Sequence, residues 1–207
     1  MKVSVIELFP TVVMSFNLNR DLHQSENAII ERELQNVEKN EGNWTSKTDQ
    51  IFDEEGMQDL STDIMRMAYM YFDHVFNSKN TPEFYYVQSW LNITHSGEFH
   101  HPHCHANSFL SGCYYPNVEE GDCVRFHNLA EQNKTFYFAP KENTKYNART
   151  RLVPVKNGDV VIWKSELHHD VPRLEKERQS PRISLAFNIF LRGNIGEPGL
   201  RSGLHIG

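Results

Sequence analysis

The chain is short of the features that mark several common protein classes. Its three cysteines, Cys104, Cys113 and Cys123, are an odd number with no Cys-x-x-Cys pair, so neither a disulfide framework nor a zinc knuckle is expected. No apolar run approaches the roughly 20 residues of a membrane span. Positive charge is in deficit, with 21 Lys and Arg against 27 Asp and Glu and a net charge of −6, which leaves no electrostatic footprint for nucleic acid. The opening Met1–Pro10 carries Glu7 and Pro10 where a secretory signal needs an unbroken apolar core, so a cytoplasmic location is expected. There is no internal repeat. What remains is an ordinary globular composition, 39% hydrophobic and 23% charged, over 207 residues that suit one cored domain.

Histidine, by contrast, is concentrated. Four of the 11 histidines fall within the run His100-His101-Pro102-His103-Cys104-His105. Neutral imidazole is the commonest metal ligand among side chains. In an extended segment alternate residues share a face, so His103 and His105 can reach one ion. Pro102 favours a strand start over a strand interior, which makes His100 and His101 flanking residues. From this run alone a metal site and a solvated histidine-rich loop both remain open.

Along the chain, residues 3–18 read as two short extended pieces around Pro10. Asp21-Leu22-His23-Gln24 has the form of a capping box, with Ile30, Leu34 and Val37 following at helical spacing toward Asn40-Glu41-Gly42. A second helix is expected over 57–77, where Leu60, Ile64, Met67, Tyr71 and Val75 form one stripe. From Thr81 the pattern changes to short β-type runs at 84–94, 108–115, 122–127, 135–139, 150–155, 159–163 and 183–191. Asn157-Gly158 between the fifth and sixth of these is a hairpin signal. The organisation expected is a single domain over 1–207, with bracing strands and helices in 1–80. Residues 81–192 then form a β-sandwich or barrel, and a Gly-rich irregular tail fills 193–207.

A metal needs more donors than one pair. The next candidates are His168 and His169, after the apolar run ending at Trp163, and on a strand they face opposite ways. Further on, Arg182, Ser184, Ala186 and Asn188 share one face of a strand whose other face is Ile183, Leu185, Phe187 and Ile189. An inward arginine beside hydrogen-bonding side chains suits a buried anion, since a guanidinium fork matches a carboxylate with two parallel bonds.

The order of these motifs is recognisable. His-x-His, then Asn-Ser-Phe-Leu-Ser-Gly-Cys-Tyr-Tyr, then Gly-Asp with an apolar strand leading to Ser-x-Leu-x-His-x-Val, then Arg-x-Ser-x-x-Phe-Asn, resembles the 2-oxoglutarate- and iron(II)-dependent oxygenases. More narrowly it is similar to a family of bacterial and phage proteins assigned to that superfamily, over residues 84–192 and in the opening Leu8-Phe9-Pro10-Thr11. The resemblance implies a double-stranded β-helix, a jelly-roll barrel with the iron inside one end. It implies metal ligation by His103 and His169, with His105 where the superfamily usually has a carboxylate. Arg182 and Ser184 match the pair that grips the far carboxylate of 2-oxoglutarate. Asn92, Tyr114 and Asn188 are further candidates for the lining of that pocket. Trp90 and Trp163 read as barrel core, Gly112 as a bulge and Gly158 as a turn.

The function implied is a dioxygenase using Fe(II), 2-oxoglutarate and O2 to hydroxylate a small-molecule or peptide substrate, with no nucleic-acid or membrane partner and with a homodimer in reach. The three-histidine set departs from the usual two histidines and one carboxylate. Asp170, Glu98 and Asp122 are the carboxylates that could replace His105, although none has the spacing. A three-histidine, cupin-like barrel that makes no use of 2-oxoglutarate, or that only binds metal, is the alternative.

Overall fold

The computed structural model describes residues 2–132, 136, 138–197, 199 and 201–207. Its frame is two antiparallel sheets. In chain order the strands are β1 (Val13–Asn17), β2 (Val37–Lys39), β3 (Trp44–Ser46), β4 (Glu83–Thr94), β5 (His100–His103) and β6 (Leu110–Asn117). They continue as β7 (Cys123–His127), β8 (Thr150–Pro154), β9 (Asp159–Lys164), β10 (His169–Val171), β11 (Arg182–Ile195) and β12 (Leu204–Ile206). The larger sheet runs β1-β9-β6-β11-β4-β3-β2 with β12 paired to β11, and the smaller runs β5-β10-β7-β8. Inward side chains from both, Tyr115, Val161 and Trp163 from one and Val124 and Phe126 from the other, form the core between the sheets. This is the jelly-roll sandwich that the motif order implies.

Two helices cover the outer face of the larger sheet. α2 (Gln58–Phe76) matches its expected span, burying Leu60, Ile64, Ala68, Tyr71 and Phe72 and ending on Asn77 in the left-handed region, where asparagine is tolerated. α1 (Gln24–Leu34) differs from expectation at both ends. Its N-cap is His23, whose backbone N–H donates to the Glu26 carboxylate at 2.7 Å, and Arg20 grips the same carboxylate with two bonds of 2.8 Å. The helix stops at Leu34, and Val37 belongs to the β2–β3 hairpin. Both helices feed one core with the outward residues of β11, Ile183, Leu185, Phe187 and Ile189.

Three further expectations are corrected. Gly158 does turn the chain, at φ +85°, but β8 pairs with β7 while β9 pairs with β1 and β6. Asn157-Gly158 therefore carries the chain from one sheet to the other and closes no hairpin. Gly112 lies in regular register opposite Phe187, and a Cβ there would meet the Phe187 ring at 2.4 Å and the Val161 carbonyl at 2.6 Å. Close approach, not a bulge, requires glycine there. The tail is more regular than expected, since β11 continues to Ile195 and β12 folds back on it. The run 135–139 includes residues outside the described set. Among the described residues no helix is long and apolar enough to cross a membrane.

Candidate functional site

β5 and β10 are neighbours, and their register places His103 directly opposite His169. His105 lies just beyond β5, in a loop tied to the β9–β10 turn by its backbone N–H on the Ser165 carbonyl at 3.0 Å. The three rings converge. Their centroids are 4.4 to 5.1 Å apart, and one ring nitrogen from each lies within 4.8 Å of the others. That is the spacing of side chains able to share one ion.

Two of the rings are oriented in the same way. His103 Nδ1 lies 2.8 Å from the His101 carbonyl and His169 Nδ1 lies 2.9 Å from the Leu167 carbonyl. A carbonyl only accepts, so in both rings Nδ1 carries the hydrogen and Nε2 keeps its lone pair for a ligand. Burial pushes the pKa of His103 down, pushes His105 down to about 4, and holds His169 well below the ordinary range, with neighbouring imidazoles adding to the shift of the last two. All three are neutral at pH 7, the state that binds a metal.

The carboxylates that might have replaced His105 are engaged elsewhere. Asp170 lies against the cavity but receives two bonds from Arg125, at 2.7 and 2.5 Å. Glu98 accepts from the Trp44 indole at 3.1 Å and the His95 amide at 2.8 Å, and Asp122 accepts two bonds from Arg178 at 2.7 and 2.8 Å. Histidines alone form the metal-competent groups among the described residues.

Beside the three rings is a cavity lined in part by Asn92, His100, Tyr115, Arg182, Ser184 and Ala186. Arg182 is 2% exposed, and no ion pair to it occurs among the described residues. Its Nη1 reaches only the Ser184 hydroxyl at 3.4 Å, its Nε has no partner, and its guanidinium carbon sits 5.1 Å from the centre of the Tyr115 ring. A buried cation without a counter-charge is costly. The Asn92 side-chain oxygen and the Tyr115 hydroxyl are likewise buried without a hydrogen bond. The Tyr115 hydroxyl and Arg182 Nε–H are unused donors that suit a carboxylate, whereas the Asn92 oxygen is an unused acceptor. The cavity measures about 30 Å³, above the roughly 10–15 Å³ that admits one water.

Among the expected site residues, His103, His105, His169, Arg182, Ser184 and Asn92 meet at this cavity. Tyr114 does not: its side chain packs in the helix-side core, and its neighbour Tyr115 faces the cavity. Asn188 stands behind His105, 3.3 Å from its Nδ1, and is absent from the cavity wall. Trp90, expected in the core, is half-buried at the cavity 5.8 Å from His105, whereas Trp163 is core and stacks edge-on against His169.

His100, read as flanking, is a cavity residue stacked 4.6 Å from His103. The reason is a bulge. His169 pairs with His103 and Val171 with His100, so β5 holds one residue more than β10 over that interval and its alternation resets. Burial drives His100 down to about 3, with the neighbouring histidines His103 and His101 and the Arg182 charge adding to the shift.

Residues 88–188 match the model of a protein family described as "Putative 2OG-Fe(II) oxygenase". Among solved structures, the chain is similar to the epimerase SnoN in complex with Fe3+, alpha ketoglutarate and nogalamycin RO, at 14% identity and TM-score 0.60 over 95% of this chain and 91% of that one. It is similar to a Pseudomonas putida prolyl-4-hydroxylase, at 13% identity and TM-score 0.57 over 88% and 94%. It is also similar to HygX from Streptomyces hygroscopicus with nickel, 2-oxoglutarate and hygromycin B bound, at 14% identity and TM-score 0.55 over 86% and 82%. No curated protein matches the chain in sequence. The superfamily resemblance and the double-stranded β-helix are thus borne out. Iron and alpha ketoglutarate are bound in the SnoN structure, and nickel and 2-oxoglutarate in the HygX structure.

Proposed function

We propose that the protein is a 2-oxoglutarate- and Fe(II)-dependent dioxygenase that hydroxylates a small-molecule or peptide substrate. The observation that carries this reading is the unpaired, buried Arg182 guanidinium in the same cavity as three converging, neutral imidazoles. A barrel that merely holds a metal has no use for that cation. His103, His105 and His169 would hold the iron, and Arg182 with Ser184 would hold the far carboxylate of 2-oxoglutarate. When bound, iron and 2-oxoglutarate supply the oxidative chemistry, in which cosubstrate, O2 and a substrate C–H give succinate, carbon dioxide and an alcohol.

The chain's own part is positioning. The carbonyls of His101 and Leu167 fix the rings of His103 and His169 from behind. Arg182 and Ser184 sit on one strand face, where the guanidinium would grip the far carboxylate with two parallel bonds and the hydroxyl would add a third. His100, Tyr115 and Trp163, all buried, form part of the cavity wall. Structures similar to this one include a prolyl-4-hydroxylase and one with hygromycin B bound, which keeps both peptides and small molecules within the substrate class.

The test is succinate formation from 2-oxoglutarate by the iron-loaded protein, with His169→Ala as control. Succinate from the wild type and none from the variant is the expected result. No succinate above the iron-free level, or an equal rate from His169→Ala, contradicts the proposal. Iron binding without succinate would favour the three-histidine barrel that makes no use of 2-oxoglutarate, to which the third histidine itself points.

A further inference from the structure

The three imidazoles are not equivalent. His103 and His169 each donate Nδ1–H to a backbone carbonyl, but among the described residues His105 Nδ1 has no carbonyl partner and meets the Asn188 side-chain amide nitrogen at 3.3 Å. That amide is held by others. Its Nδ2 donates to Gln88 Oε1 at 3.1 Å, and Gln88 Nε2 donates to the Asp49 carboxylate at 3.2 Å. A carboxylate only accepts, so Asp49 sets the direction of Gln88, which sets the direction of Asn188. On its other side Asn188 Oδ1 accepts from the Ser111 hydroxyl at 2.7 Å. The pairing of Asn188 with Gln88 lies at a bulge, where β4 carries Val87 as an extra residue before Tyr86 meets Ile189. Bulges often re-aim side chains beside functional sites.

With the amide N–H2 turned toward it, His105 Nδ1 can only accept, so the ring hydrogen is on Nε2. The other end of the ring requires the same arrangement. His105 Nε2 lies 3.3 Å from His169 Nε2, which keeps its lone pair because His169 Nδ1–H is committed to Leu167. Both neighbours thus select the form of His105 in which Nε2 has no lone pair to give a metal.

We propose that Asn188 is a positioning residue whose amide turns over when the site takes up metal, and that the Asp49–Gln88 pair holds it in the metal-free orientation. The inference rests on the reading of His105 as the third ligand. In the metal-bound form the ring hydrogen leaves Nε2 and Nδ1 takes one up, with no net proton change. Asn188 then presents Oδ1 to Nδ1–H and Nδ2 to Ser111. The serine row can accept this. Ser108 donates to the Leu110 carbonyl at 3.0 Å and Ser165 donates to Ser108 at 2.8 Å, which leaves Ser165 Oγ free to accept from Ser111 across 2.9 Å. Ser111 therefore has an acceptor in either state, Asn188 before metal and Ser165 after. The cost falls on the Gln88 amide, which must turn away from Asp49 or give up Asn188.

The test reads the ring directly, by long-range proton–nitrogen NMR of the full-length protein with zinc as a diamagnetic probe. The His105 signals are identified by their loss in His105→Asn. Expected are His105 with its hydrogen on Nε2 in the metal-free protein, His103 and His169 with theirs on Nδ1, and a shift of His105 alone to Nδ1–H on adding zinc. Asn188→Asp, whose carboxylate can only accept, should hold His105 as Nδ1–H without metal and tighten zinc binding about tenfold, the lower end of effects seen for groups behind metal ligands. Gln88→Leu, which cuts the link to Asp49, should also tighten zinc binding, whereas a merely structural Gln88 would weaken it or leave it unchanged. A metal-free His105 already in the Nδ1–H form overturns the proposal, as does weaker zinc binding by a folded Asn188→Asp. Zinc bound with His105 unchanged overturns this proposal alone. Failure of the wild type to bind zinc overturns the metal-site reading and this proposal with it.

Discussion

Arg182 and the histidines set against it decide what this cavity can hold. The guanidinium has given up water for a long contact to Ser184 and the face of the Tyr115 ring, with no counter-charge among the described residues, so its stabilisation waits on an anion. Arg182→Ala should leave iron binding intact and weaken 2-oxoglutarate by ~1.5–3 kcal/mol, the worth of a hydrogen bond to a charged group, measured by calorimetry on the anaerobic iron-loaded protein. Unchanged affinity would mean that the cosubstrate is held elsewhere. The histidines carry a pH consequence of known sign. His105 is held at about 4 and His100 at about 3, against an ordinary value of 6.5. In the interval from 6.5 down to those values the unfolded chain binds more protons than the folded one. Stability of the metal-free protein therefore falls as pH falls through it. The urea midpoint should be lower at about pH 5 than at about pH 7.5, and an equal midpoint would contradict the burial of neutral rings.

Strands β6 and β11 show how far pattern reading reaches. The two-faced character of Arg182–Ile189 was legible because large apolar residues alternate with Arg182, Ser184, the small Ala186 and Asn188, and both faces are where that alternation puts them. β6 offered no such contrast. Tyr114 and Tyr115 are adjacent and chemically alike, so nothing local says which one faces the cavity; the register with β11 decides it. His100 was hidden by the bulge in β5, which depends on the partner strand β10 and leaves no mark in the run of histidines. Gln88 was missed for a similar reason, because only its pairing with Asn188 gives it a role. Helix α2 was plain from its stripe, while α1 ended early because β2 takes Val37 into a hairpin. Gly112 makes the β6–β11 contact testable. Gly112→Ala forces a methyl against Phe187 and the Val161 carbonyl, and should cost ~1–3 kcal/mol in thermal or urea unfolding, as overpacking does. A neutral effect would mean that β6 and β11 are less tightly apposed.

For the molecule as a whole, the two sheets serve as a rigid holder for groups far apart in the chain. Positions 103, 105, 169 and 182 meet because β5 and β10 pair in the smaller sheet while β11 faces them from the larger one. A ligand that joins these elements should stabilise the entire fold. Zinc at about 100 times its dissociation constant is expected to add ~2.7 kcal/mol and raise the melting temperature by several degrees, with His103→Ala abolishing the rise. The same rise in His103→Ala would remove that residue from the ligand set. The central claim, that one cavity takes both metal and cosubstrate, is tested most directly by anaerobic titration of the Fe(II)-loaded protein with 2-oxoglutarate, following the visible charge-transfer band of the chelate. A band that appears, saturates and needs higher 2-oxoglutarate in Arg182→Ala is the expected result. Iron bound with no band at any 2-oxoglutarate concentration would contradict it.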